Sequence, residues 1–83
     1  MPWFHFNLYN DDTVIDEDGS ELPDVPTARD AAIRSIRSII ASHVTEGLPI
    51  DLDHRIEITN RRGAVISVVT FGDAMQVVQS RKG

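Results

Sequence analysis

From Trp3 to Tyr9 the chain alternates with a period of two: Phe4, Phe6 and Leu8 fall on one side, Trp3, His5, Asn7 and Tyr9 on the other. This run constrains the fold most, because a strand whose every second side chain is a large apolar group has to be roofed by another layer. The first set is expected in the core and the second on an outward face. The run then drops into an acidic stretch. Residues 1–24 hold seven acids and neither Lys nor Arg, whereas residues 25–83 hold six acids and all eight bases.

Asn10, Asp11 and Asp12 carry the short polar side chains that satisfy their own backbone in a reversal. A brief second strand is expected over Thr13 to Asp16, then a turn at Asp18 and Gly19. The Leu22, Pro23, Asp24 step leads to a helix whose start Asp24 or Thr27 can cap, with Pro26 tolerated in the first turn and Gly47 placed to end it. Ala28, Ala32, Ile36, Ile39, Ile40 and His43 or Val44 recur at three- and four-residue steps and form one apolar stripe. Arg29, Arg34 and Arg37 lie mostly off that stripe and read as an exposed surface.

Arg55 to Asn60 alternates with Ile56 and Ile58 inward, Arg61, Arg62 and Gly63 supply a turn, and Ala64 to Phe71 is rich in β-formers. In that last run Ile66 and Val68 alternate with Val65 and Val69, so both sides are apolar and both need cover. Gly72 to Gln79 reads as a short helix begun by Asp73 or as a loose tail. The expectation is one α+β domain over residues 1–83. It has two layers in the order ββαββ: a four-stranded, mainly antiparallel sheet with one long helix on one face and a short C-terminal segment. Phe4, Phe6, Ile36, Ile40, Ile56 and Ile66 should be buried between the layers.

No motif in the chain supplies chemistry at the spacing chemistry needs. Asp16, Asp18 and Gly19 echo a calcium loop, but with Gly19 sixth the first and twelfth positions fall on Val14 and Val25, where carboxylates are required. His5, His43 and His54 are far apart, no cysteine is present, and none of the serines sits in a glycine-flanked elbow. The five glycines never cluster into a phosphate-binding loop. Expected are no catalytic residue, no cofactor and no metal, and an enzyme is the least favoured class.

Partners follow from charge and patterning. A net charge of −5 opposes broad binding to a phosphate backbone, although Arg29, Arg34 and Arg37, the Arg61 and Arg62 turn, and stacking by Trp3 and Tyr9 are the features such binding would use. No stretch approaches the roughly 20 apolar residues that cross a bilayer. The start lacks the basic and then apolar pattern of a signal peptide, so a cytoplasmic protein is expected. One helix cannot roof both sheet faces. Trp3, His5, Tyr9, Val65 and Val69 are therefore the candidate interface of a homodimer, and the helix arginines a candidate surface for a further protein partner.

The aromatic first strand behind Met1 and Pro2, the acidic turn, Asp18-Gly19, Leu22-Pro23-Asp24, the Ala- and Arg-rich helix and the late Phe71-Gly72-Asp73-Ala74 together resemble a family of short uncharacterised proteins of rhizobia and related alphaproteobacteria. The resemblance covers almost the whole chain and implies a stand-alone cytoplasmic α+β domain without active-site residues to carry over. More distantly, Asp18-Gly19, Pro23-Asp24 and Ala28 to Ala32 are similar in order to antitoxins of the HicB type. The chain departs from those in having two strands before the helix and no appended DNA-binding domain. The first functional expectation is thus a non-catalytic homodimeric interaction or regulatory module; an antitoxin-like or RNA-associated regulator is the alternative.

Overall fold

A computed structural model describes residues 2–80. The elements run β1 (Trp3–Tyr9), β2 (Thr13–Val14), β3 (Ser20–Glu21), α1 (Val25–Glu46), β4 (Arg55–Thr59), β5 (Val65–Thr70) and a 3₁₀ turn (Phe71–Ala74). The α+β class and the single long helix agree with the sequence. The sheet is open, antiparallel and five-stranded, one strand more than expected.

The extra strand comes from the acidic segment, which pairs with the same edge of β1 twice. Tyr9 and Leu8 pair with Thr13 and Val14, and Phe4 and Trp3 pair with Ser20 and Glu21. Residues 15–19 leave the ladder between these two short contacts. On its other side β1 pairs with β4, Phe6 facing Ile58 and Leu8 facing Ile56, and β4 pairs with β5.

Helix α1 begins and ends where its local chemistry dictates. The Asp24 side chain accepts from the Thr27 amide, a proline occupies the first turn, and Gly47 closes the C-terminus at φ 72, a left-handed conformation that a Cβ disfavours. Ala28, Ala32, Ile36 and Ile40 are buried from α1, and they meet Phe4, Ile56, Ile58, Val69 and Phe71 in one core. Small alanines in the first turns let the helix lie close to the sheet, and isoleucines fill the gap farther along.

Two residues expected in the core are not fully there. Phe6 is only half-buried, at the margin of the helix footprint. Ile66 is 42% exposed, while Val69, expected on the outer face, is 0% exposed. A β-bulge causes this exchange. Thr59 faces Val65 and Ile58 faces Ser67, so Ile66 is an extra residue with no partner in β4. Inserting one residue inverts the alternation after it, which turns Val69 inward opposite Ile56 and Val68 outward opposite Glu57.

The 3₁₀ turn is fixed by a reciprocal cap in which Asp73 N donates to the Thr70 hydroxyl and Thr70 N donates to Asp73 Oδ2. It holds Phe71 and Ala74 against α1. From Met75 to Ser80 the chain has no helix or strand, and the charged end at Arg81 and Lys82 lies outside the described residues.

Candidate functional site

Trp3, His5, Asn7 and Tyr9 do project from β1 on the side away from the helix, but most of that side is closed by the chain itself. Asp16 does this. Its Oδ2 accepts from Phe6 N at 3.1 Å and its Oδ1 from Gly19 N at 3.0 Å, replacing the ladder bonds missing between β2 and β3. Its own amide donates to Asn7 Oδ1 at 3.0 Å, and its carbonyl lies 2.7 Å from His5 Nδ1. A carbonyl only accepts, so Nδ1 carries the proton. Asn7, polar and outward, is buried as a result, as is Thr59 on the neighbouring strand.

The turn at Gly19 completes the cover. At φ 74 it lies so near β1 that an added Cβ would come within 2.2 Å of Trp3 Nε1 and 2.9 Å of His5 Cε1. Trp3 Nε1 donates to the Asp18 carbonyl at 3.0 Å. The Arg61 guanidinium stands 4.5 Å from the Trp3 ring centroid, and Arg55, 2.8 Å from Glu57, stands 4.7 Å from that of Tyr9. Of the five candidate interface residues, then, Trp3, His5 and Tyr9 have partners within the fold and Val69 is in the core. Val65 alone is open, at 53% exposure, beside Val68 at 40%.

The helix arginines separate in the same way. Arg29 donates to the Ser67 hydroxyl and, at 3.3 Å, to the Val68 carbonyl; Arg37 Nε donates to the Ala74 carbonyl at 2.8 Å. Arg29 fastens α1 to the edge strand β5, and Arg37 fastens it to the 3₁₀ turn that follows. Among the described residues Arg34 has no such contact, so the three form no gathered cationic face. Arg29 and Asp73 also occupy polar backbone groups of β5, the edge strand, which blunts it against pairing with a further strand. The Asp73 carboxyl is held below its ordinary range, first by the Thr70 amide, then by the Thr70 side chain and the Arg29 charge.

At the start of α1 the structure forms a groove of about 830 Å³ that sequence reasoning did not assemble. Trp3, Phe4, Val25 and Ile66 give it an apolar floor, and Arg61 and Arg62 stand at its rim. Asn60 fixes that rim: its Oδ1 accepts from the amides of Arg62 and Ala64, and Gly63 takes φ 85. The adjacent arginines were legible as a turn. That the bulged Ile66 and the helix start lie beneath them was not. Two acids also line the groove, but the Asp24 carboxylate is engaged in the helix cap, which lowers its pKa through Thr27, and Glu21 has a partner too.

The remaining histidine contacts are dispersed. His54 stands edge-on to Phe71, centroids 5.6 Å apart, with Nε2 3.5 Å from Asp51 Oδ2 and 3.9 Å from Asp11 Oδ1; its buried Nδ1 has no hydrogen-bond partner. His43 lies near the end of α1, 3.3 Å from the Pro49 carbonyl. Among the described residues no three His, Asp or Glu side chains are placed to hold a metal ion. No helix there is long and apolar enough to cross a membrane.

The chain belongs to the family described as a domain of unknown function, DUF6894, whose match spans residues 3–72, from the start of β1 into the 3₁₀ turn. No curated protein and no solved structure matches it. The family match agrees with the resemblance to uncharacterised proteins and says nothing of a source organism or of antitoxins.

Proposed function

We propose that this domain is a small non-catalytic interaction module of the cytoplasm that acts as a homodimer, with the open half of its outer sheet face as the interface. One observation carries the reading: the sheet is roofed unevenly. Helix α1 covers the centre of one face, leaving Phe6 and Leu8 half-buried at its margin, and the acidic segment covers the β1 side of the other. Val65 and Val68 are left in water on the remaining β5 side, beside the partly exposed Thr70. A second copy laid across Val65 and Val68 would take both side chains out of water. Because Arg29 and Asp73 block the β5 edge, the association is face to face. The lack of cysteine fits a reducing compartment.

Sedimentation through the micromolar range tests the reading. The native chain is expected to run as a dimer and a Val65→Glu, Val68→Glu double variant as a folded monomer. A native chain that is monomeric at every concentration sinks it.

A further inference from the structure

Resting on the homodimer reading, we infer that the groove at the start of α1 receives the acidic hairpin around Asp11 and Asp12 of a second copy of this chain. The two surfaces are complementary in kind. The groove offers an apolar floor of Trp3, Val25 and Ile66 under a rim of Arg61 and Arg62, and the acids in its lining are already committed. The hairpin offers Asp11 and Asp12, both exposed, followed closely by Val14 and Ile15 at 55% and 52% exposure. Among the described residues, Asp11 comes no nearer to a basic group than 3.9 Å, at His54 Nε2, and Arg62 has no side-chain partner.

The two surfaces cannot meet within one molecule. The groove lies at the Trp3 end of β1, where β3 pairs, and the hairpin at the Tyr9 end, where β2 pairs. A seven-residue strand holds those ends about 20 Å apart. Two copies set antiparallel about a twofold axis form both hairpin-to-groove contacts together and close the assembly at a dimer. The net charge of −5 opposes association of like chains, but at physiological salt charges more than about 8 Å apart are largely screened and the close pairs decide the outcome.

Charge reversal in trans is the test, read by sedimentation of the full chain with circular dichroism as the folding control. Arg61→Glu with Arg62→Glu, and separately Asp11→Arg with Asp12→Arg, should each weaken self-association about tenfold or more, the scale of close charge pairs across an interface. An equimolar mixture of the two variants should recover the dimer, because both contacts then pair opposite charges again. Since Arg61 also stacks on Trp3, Arg62→Glu alone provides a variant that disturbs no described side-chain contact, and it should weaken the dimer in the same direction. Native-like association of the reversed variants, or a mixture that stays monomeric, overturns the inference. If Val65→Glu, Val68→Glu breaks the dimer while the charge reversals do not, the sheet-face reading survives and the hairpin contact falls. A monomeric native chain removes both.

Discussion

The two faces of one sheet are closed by opposite means. On the helix side cover is apolar and continuous: Phe4, Ile56, Ile58 and Val69 meet Ala28, Ala32, Ile36 and Ile40, and stability there scales with the area taken out of water. On the outer side cover is a polar clasp. One aspartate supplies two acceptors to the backbone, an amide to Asn7 and a carbonyl to His5, while arginines lie over the two aromatic rings. The first arrangement tolerates small shifts, since apolar contact has no direction. The second works only if each donor reaches its acceptor, so it depends on a few atoms.

Deletions should expose that difference. Phe71→Ala removes a fully buried ring on the helix side and should cost about 3–5 kcal/mol, enough to unfold a marginal small domain. Phe6→Ala, at the edge of the same layer, should cost clearly less, and urea denaturation of the two variants checks the order. On the outer side Asp16→Ala should cost about 2 kcal/mol, because hydrogen bonds to a charged group are lost and the amides of Phe6 on β1 and Gly19 in the turn are left without a partner. The polar nature of that loss has a signature. Amide exchange at Phe6 and Gly19 should rise far more than at core amides of β4, whereas Phe71→Ala should raise exchange throughout. Uniform exchange in Asp16→Ala would mean that the clasp is not a separate unit.

The smallest effect concerns the caps, where acidity gives a sign. Asp73 and Asp24 have folded-state pKa values below their ordinary ones, so the native state binds fewer protons than the unfolded chain. Their contribution is therefore complete above the ordinary carboxylate pKa and disappears as pH falls from about 5 towards 3. Both groups are exposed, so the slope should be shallow. Asp73→Asn together with Asp24→Asn should flatten part of the fall in melting temperature over that window and leave the neutral-pH curve little changed in shape. An unchanged acid limb would assign the pH dependence to other carboxylates.

Legibility followed the reach of each interaction. The ends of α1 were readable because Asp24, the early proline and Gly47 act within a turn of the backbone they cap. The inward faces of β1 and β4 were largely readable because alternation is local, with Phe6 the residue that fell short. The interchange of Ile66 and Val69 was not, since a bulge is defined by a neighbouring strand and nothing within Val65–Thr70 announces it. The role of Asp16 left only a faint trace, an acid three residues before a turn glycine, because its main acceptor contact lies ten residues back, at Phe6.

What the residues determined alone was a helix of fixed length, an aromatic strand with one core side, an acidic segment, and a class of fold in which sheet and helix share a core. These depend on backbone preference and on hydrophobic periodicity, which act over a few positions. Tertiary structure decided that the acidic segment would return to β1 and close half its outer face, that Arg29 and Arg37 would become fasteners of the helix, and that Arg61, Arg62 and Ile66 would share a groove with Trp3. Each of these joins groups distant in the chain. The free energy of such a contact depends on where the whole backbone brings them, which no local pattern encodes.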